Sequence, residues 1–241
     1  MRRLSRLLTL AALVLPAAAR AGPPFITDDP EPTDFRRWEI YGYGEGALFR
    51  HDWEGETGLD LNYGGFRDVQ LTATLPYGAH QDGASRLALG DVEAGMKYRF
   101  LHQKGAGVDV AFFPKLSLPT GGARGTGRVG AQLPVWAQRD LGKWSLFGGG
   151  GYAINPGAGR RNFWFAGATA TRAVSDRVTL GAELFRQAQD ATDGQATTSA
   201  GLGATVAVAK RWSLLGAADA GIGRGAGAAG HRLYIALLFH T

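Results

Sequence analysis

The chain has 241 residues, among them 37 Gly and two Met, and it contains no Cys. The absence of Cys excludes disulfide frameworks, thiolate nucleophiles and Cys-ligated zinc or iron–sulfur sites. The hydrophobic content of 45% excludes a disordered chain, and glycine without a Gly-x-y period excludes collagen. The length fits a single β-barrel or sandwich domain.

Residues 1–21 predict a secretory signal peptide. Arginines within the first six residues supply a positive start, residues 7–19 are apolar, and Ala19-Arg20-Ala21 places small residues at the cleavage positions. Removing this segment takes away four arginines and no acid, so the formal net charge falls from +5 to +1. A nearly neutral mature chain gives no support for nucleic-acid binding.

The mature chain shows the period-2 hydrophobicity of strands. No uncharged stretch after residue 21 reaches the length of a membrane-spanning helix. Residues 91–100 alternate most clearly, with Met96 and its neighbours on one face and Glu93, Lys97 and Arg99 on the other. Similar patterns and turn signals predict about twelve strands, near 37–49, 55–63, 66–77, 89–101, 106–118, 128–139, 143–154, 161–174, 177–188, 196–209, 211–222 and 230–240.

The connections between these strands sort by length. The short ones follow even-numbered strands and begin with Gly64-Gly65, whereas longer loops rich in Gly, Asp or Arg follow odd-numbered strands. Short turns on one side and long loops on the other, with an even strand count, are typical of outer-membrane barrels. We therefore predict an all-β fold, an antiparallel up-and-down transmembrane β-barrel over residues 37–241, preceded by an N-terminal periplasmic segment, residues 22–36.

Aromatic residues stand next to the short turns. Trp38, Phe66, Trp144 and Trp212 begin odd-numbered strands in this prediction. Rings at one height indicate an interfacial girdle, because amphipathic rings prefer the headgroup level of a membrane. The alternative is that aromatic residues simply begin strands often.

Charged residues fall on the predicted inner face. As lumen-lining candidates they would bias which solutes pass, and the alternative is that they pair with one another and stabilise the interior. They are Glu39, Glu45, Asp68, Glu93, Lys97, Arg99, Asp109, Lys115, Glu183, Asp219 and Arg232. Asp28 and Asp29 lie among prolines before the first strand, in a segment that is either a small plug or a flexible leader.

No motif for catalysis or for a cofactor is convincing. Two Gly-x-Gly-x-x-Gly matches, at 125–130 and 225–230, precede strands, so neither has the helix N-terminus that binds a dinucleotide. The five histidines form no metal-ligand pair at helical spacing, and a Ser–His pair would need Ser199 or Ser213 beside His231. We expect no catalytic residues, no metal site and no cofactor.

Several segments together resemble a known family. They are PFITDDP at 24–30, LTATLPY at 71–77, GDVEAGMKYRF at 90–100, FPKLSLPTG at 113–121 and LPVWAQRDLGKWSLFGGGGYAINPG at 133–157. These segments are similar to those of the MetA-pathway of phenol degradation family of transporter-like bacterial outer-membrane barrels. The resemblance implies uptake of small solutes of hydrophobic or aromatic character. The chain departs from such barrels at its end, where His240 and Thr241 follow the aromatic Phe239.

The sequence thus predicts a bacterial outer-membrane channel for passive diffusion of small molecules. Its expected partners are outer-membrane lipid, small-molecule solutes and the barrel assembly machinery, without nucleic acid and with the oligomeric state open. The alternatives are a structural or binding barrel with a closed lumen, an outer-membrane enzyme acting on lipid, and a secreted soluble sandwich.

Overall fold

The computed structural model describes residues 23–49, 52–80, 88–122, 126–223 and 230–241, so the predicted signal peptide lies outside the described residues. Twelve antiparallel barrel strands are present in these ranges, two of them interrupted, and one helical turn, α1 (Gln103–Ala106), stands between the fourth and fifth. The strands are β1 (Trp38–Phe49), β2 (Asp52–Phe66), β3 (Val69–His80), β4 (Ala88–Leu89 and Val92–Leu101), β5 (Asp109–Phe112 and Lys115–Leu118), β6 (Gly130–Leu141), β7 (Trp144–Ile154), β8 (Phe163–Ala173), β9 (Val178–Gln187), β10 (Thr197–Ala209), β11 (Trp212–Gly221) and β12 (His231–His240).

The sheet closes on itself. Each strand pairs with the next, and β12 pairs with β1 in a register that sets Tyr41 opposite Leu238. The chain ends support this seam, because Trp38 N–H donates to Thr241 Oγ1 at 3.0 Å and Thr241 N–H donates to Trp38 O at 3.1 Å. Closure leaves no edge strand, which is the condition for a sheet in hydrocarbon. The predicted all-β, twelve-stranded barrel is therefore confirmed.

The distribution of apolar residues is the inverse of that in a soluble protein. On the outer face Leu202 is 70% exposed and Leu233 is 64% exposed, whereas Lys97 on the inner face is 3% exposed. An apolar band outside and polar side chains inside define a barrel that faces lipid. None of the helices in the described ranges is long and apolar enough to cross a membrane.

One predicted turn is misplaced. Gly64 and Gly65 lie inside β2, and the turn to β3 is formed by Arg67 and Asp68, the latter with φ 61°. Gly64 is in the strand because residues before β1 pack directly on it: a Cβ there would overlap the carbonyl oxygen of Asp34. The sequence predicts Gly64 as a turn residue, whereas the structure requires glycine there because the backbone of Asp34 approaches it closely.

The connections sort by length as expected, with two exceptions. The turns at 142–143 and 210–211 are short, whereas 119–129, 155–162 and 188–196 are long. The first exception is a long-loop position, where β1 ends at Phe49 and β2 begins at Asp52, and the second is a short-turn position, where residues 102–108, which include α1, connect β4 to β5. By the ordinary asymmetry of outer-membrane barrels, the short-turn end is the periplasmic end.

Candidate functional site: the barrel lumen

Residues 23–33 of the N-terminal segment lie inside the barrel, and residues 34–36 are exposed. Thr27 and Asp29, in its middle, are buried. Its polar contacts reach four separate strands, through Gln70 of β3, Lys97 of β4, Glu183 of β9 and Arg232 of β12. Only a segment that crosses the lumen can contact strands on opposite parts of the wall.

Glycines on the inner wall make room for the ring of Phe25. A Cβ at Gly181 would lie 2.6 Å from this ring, and a Cβ at Gly203 would lie 2.8 Å from it. On β7, Phe147 meets the ring edge-on, with the centroids 6.5 Å apart. A Cβ at Gly167 would likewise overlap Thr27 Oγ1. Residues without a side chain on β8, β9 and β10 thus form a seat for the segment.

Glu183 fixes the backbone of the segment. Its carboxylate accepts hydrogen bonds from the backbone N–H groups of Ile26, at 3.1 Å, and Thr27. Amides buried inside a barrel need such acceptors, since an unpaired buried N–H is costly. This lumen-facing candidate therefore holds the segment.

Lys97 is the cation that the two aspartates of the segment share. Its Nζ donates to Asp28 Oδ1 at 2.9 Å and to the carbonyl oxygen of Glu31 at 3.3 Å, and it lies 3.8 Å from Asp29 Oδ1. The ammonium also stands 5.0 Å from the centroid of the Phe113 ring. A buried charge is tolerated when it is paired in this way.

Two carboxyl groups of the segment bind protons more tightly than usual. Burial raises the pKa of Asp29 to about 8, and nearby Lys97 only partly opposes this rise. Burial also raises the pKa of Glu31 to about 7, and the negative charge of Asp140 adds to it. Placement of the segment in the lumen is therefore coupled to protonation near neutral pH.

A second ion cluster joins three predicted lumen residues. Arg232 donates from Nη1 to Asp219 Oδ2 at 2.8 Å and from Nη2 to Glu45 Oε2 at 2.9 Å. The same Nη1 lies 3.5 Å from the carbonyl oxygen of Pro24. The cluster therefore ties β1, β11 and β12 to the start of the segment.

A third cluster lies at the short-turn end. Arg99 Nη2 donates to Asp68 Oδ1 at 2.9 Å, and His102 Nε2 lies 2.9 Å from the same oxygen. Asp109 Oδ1 stands 3.8 Å from Arg99 Nη1. Glu39, also near this end, accepts a hydrogen bond from Thr33 Oγ1 at 3.3 Å. These contacts are the mutual pairing that the sequence left as an alternative.

Glu93 and Lys115, like Glu183, are in no ion pair within the described ranges. Together with Arg160 and Phe163 they line a cavity of about 190 Å³. Lys115 also lines a second cavity of about 190 Å³, beside the segment, where Asp60 and Phe113 form part of the wall. Lys115 therefore lies in the wall of both of these cavities.

Sequence reasoning missed two sets of inner residues. The first is a polar network in which Gln70 Nε2 donates to Asn62 Oδ1 at 2.7 Å and Gln70 Oε1 accepts from Thr33 N–H at 2.8 Å. The second is an apolar cluster of Tyr41, Leu215, Ala217, Tyr234, Ala236 and Leu238. The alternation of residues 70–75 could have predicted the polar network. The apolar cluster could not have been predicted in this way, because the interior of an outer-membrane barrel is generally polar.

Neither a metal site nor a Ser–His pair is present in the described residues. No group of three His, Asp or Glu side chains there could hold a metal ion. Ser213 pairs with Leu238 at one end of β12, and His231 lies at the other end. Ser199 lies beside Gly221, and His231 is exposed on the outer wall, opposite in direction to Arg232.

No family model matches the chain, and no curated protein matches it. Solved structures do. The COG4313 outer membrane channel from Pseudomonas putida F1 is similar with a TM-score of 0.69 and 16% identity, over 88% of this chain and 98% of that one. The KdgM porin in complex with disordered oligogalacturonate has a TM-score of 0.59 and 10% identity, over 83% of this chain and 98% of that one. The NanC porin has a TM-score of 0.54 and 12% identity, over 85% of this chain and 99% of that one. The fold is that of outer-membrane channels.

Proposed function

We propose that the protein is a bacterial outer-membrane channel for passive diffusion of small solutes, and that residues 23–36 act as a plug that narrows its lumen. The observation that carries this proposal is the buried contact of Lys97 with Asp28 and Asp29 inside a closed, lipid-facing barrel. A segment held by such contacts outside the strands could leave the lumen while the barrel stays closed.

The lumen suits small solutes with an aromatic or apolar part. A twelve-stranded barrel encloses more space than an eight-stranded one, which side chains fill, and less than a wide porin. The two lumen cavities that Lys115 lines measure about 190 Å³ each; the ring of Phe113 lines the cavity beside the plug, and the ring of Phe163 lines the other. These rings support the hydrophobic or aromatic cargo that the resemblance to the phenol-degradation family implies.

The remaining expectations belong to the same proposal. The protein would be exported by its signal peptide, inserted by the barrel assembly machinery and surrounded by outer-membrane lipid.

Planar-bilayer conductance of the refolded mature protein tests the function. We expect discrete conductance steps, a larger conductance after deletion of residues 22–34, and block by small aromatic solutes. Heat-modifiable migration shows that each variant is folded. Folded barrels that are silent with and without the segment would support a closed-lumen structural barrel instead, and hydrolysis of phospholipid by the folded protein would support an enzyme.

The two cavity charges test where solutes pass. Glu93→Gln and Lys115→Gln should shift ion selectivity in opposite directions, because they remove opposite charges from one cavity wall. Selectivity unchanged in both variants would contradict a path beside these residues.

A further inference from the structure

The outer wall carries a groove between β6 and β9. It has a volume of about 650 Å³ and follows a belt of small outward residues, with Leu146 and Leu184 at its sides. The small residues are Ala137, Gly148, Ala168, Ala170 and Ala182. On other strands the same face carries larger groups such as Met96 and Phe100. The groove is therefore an apolar depression on the membrane-facing surface of the barrel.

Cations gather where this groove meets the short-turn end. Arg139, at the end of the groove, and Arg172 are exposed on the outer wall, and Lys143 is exposed in the turn at 142–143. The Arg172 guanidinium lies over the Trp144 ring, 5.3 Å from its centroid. None of the three cations is in an ion pair with any carboxylate that the structure describes, and nearby Asp140 points inward to accept from Ser145 Oγ at 2.5 Å.

The cations are close enough to serve one headgroup. Trp144 is the register partner of Arg172, and Leu146 is the partner of Arg139, so β7 alone separates the two arginines. Neighbouring strands lie about 4.8 Å apart, which places β6 and β8 roughly 10 Å apart, and the offset of two residues along β7 adds roughly 7 Å, so the two Cα atoms lie roughly 12 Å apart. Two arginine side chains can reach a common phosphate across that span.

Charges on a lipid-facing wall are costly unless they meet headgroups. Arginine binds phosphate in bidentate fashion, and Trp prefers the headgroup level. The short-turn end of an outer-membrane barrel faces the periplasmic leaflet, which consists of phospholipid. We propose that Arg139, Lys143 and Arg172 bind the phosphate of an anionic phospholipid whose acyl chain occupies the groove.

A second copy of the chain fits this surface less well. A two-fold contact would place the same patch on both partners, so that Arg139 and Arg172 of one copy would face those of the other. Juxtaposed like charges oppose such a contact. The inference rests on the membrane location proposed above, but it does not depend on conductance, so the two proposals can fail separately.

Native mass spectrometry of the mature protein with added phospholipid tests the site. We expect one dioleoylphosphatidylglycerol to bind in preference to dioleoylphosphatidylcholine. The double variant Arg139→Gln/Arg172→Gln should bind phosphatidylglycerol roughly 30-fold more weakly, since each cation near an anionic surface contributes on the order of 1 kcal/mol. The matched control Arg128→Gln/Arg161→Gln removes two exposed arginines from the long-loop end and should bind as the unmodified protein does.

A separate variant tests whether the groove holds the acyl chain. Ala168→Phe fills the acyl-chain seat from the lipid side without touching the lumen, and it should weaken phosphatidylglycerol binding while the barrel stays heat-modifiable and its conductance stays unchanged. Equal binding by the two double variants would overturn the site. So would dimers that persist without lipid and disappear in Ala168→Phe, because they would assign the groove to a second copy.

Discussion

Two adjoining parts of the barrel wall fill the lumen in different ways. In one part β1, β11 and β12 fill the space with their own side chains, those of Tyr41, Leu215, Tyr234 and Leu238 among them. In the part next to it β8, β9 and β10 present Gly167, Gly181 and Gly203, and residues of the N-terminal segment occupy the space that these glycines leave. The first filling is part of the barrel and can be lost only by unfolding it. The second belongs to a segment outside the strands, so its undocking would leave every strand paired, and we expect the proposed channel to change at this glycine-lined part.

The largest effect is expected at the buried lysine. Lys97→Met leaves Asp28 without the cation that lies 2.9 Å from it, and breaking a buried pair from one side costs about 3–5 kcal/mol. We expect the segment to undock, which would appear as a larger conductance and faster cleavage of the segment by protease. Lys115→Met, which removes a lumen lysine outside any described ion pair, is the control and should leave cleavage slow. Equal cleavage in both variants would contradict the role given to Lys97.

The seat of Phe25 should matter nearly as much. Phe25→Ala removes a ring packed against Gly181 and Gly203, at a cost of about 3 kcal/mol to docking. Gly181→Leu should give the same phenotype from the opposite partner, because the new side chain occupies the seat. Phe35→Ala is the matched control, since that ring of the same segment is 41% exposed. Conductance unaffected by both seat variants would show that the glycines do not position the segment.

The wall formed by β1, β11 and β12 should respond in barrel stability alone. Leu215→Ala opens a cavity in the apolar cluster and should lower the free energy of unfolding by about 2–3 kcal/mol, with conductance unchanged. Leu214→Ala, its outward neighbour at 42% exposure, should have a smaller effect. Denaturant titration of the refolded variants measures both. A change of conductance in Leu215→Ala would remove the distinction between the two sides.

A smaller effect is expected from pH. Burial holds the pKa of Asp29 near 8 and that of Glu31 near 7, above the ordinary range near 4 that they have when the segment is undocked. Docking therefore binds protons: its stability is full below about pH 4 and falls as pH rises towards 8. Conductance should increase from pH 5 to pH 8, and Glu31→Gln should reduce this dependence. A conductance that falls over this range would contradict the sign.

The regular part of the fold could be predicted from the sequence, because its determinants are local. The alternation in residues 91–100 is enough to place Lys97 and Arg99 on the inner face and Met96 on the outer face. The seat of Phe25 could not be predicted in this way. Gly167, Gly181 and Gly203 come together only through the register of β8, β9 and β10, and register is a long-range property.

Gly64 shows the same limit from another direction. In the sequence Gly64-Gly65 has the composition of a hairpin turn, and only the packing of residues 33–35 against β2 explains why glycine stands there. A glycine that the sequence predicts in a turn, Gly64, is thus needed because the N-terminal segment packs against it. The resemblance to the phenol-degradation family implies a channel, but it does not indicate which part of the chain occupies the lumen.

A reversible cross-link between the segment and the wall shows whether movement of the segment changes conductance. A Cβ at Gly167 would lie 3.1 Å from Thr27 Cβ and 2.8 Å from the Phe185 ring, so a disulfide, with roughly 3.8 Å between its Cβ atoms, needs a small shift of the segment and of that ring; the chain has no other Cys. In Thr27→Cys/Gly167→Cys, we expect low conductance under oxidising conditions at every pH and a rise when reductant is added to the same bilayer. Thr27→Cys alone should not respond to reductant. Conductance of the oxidised double variant equal to that of its reduced form would contradict the claim that movement of this segment controls the channel.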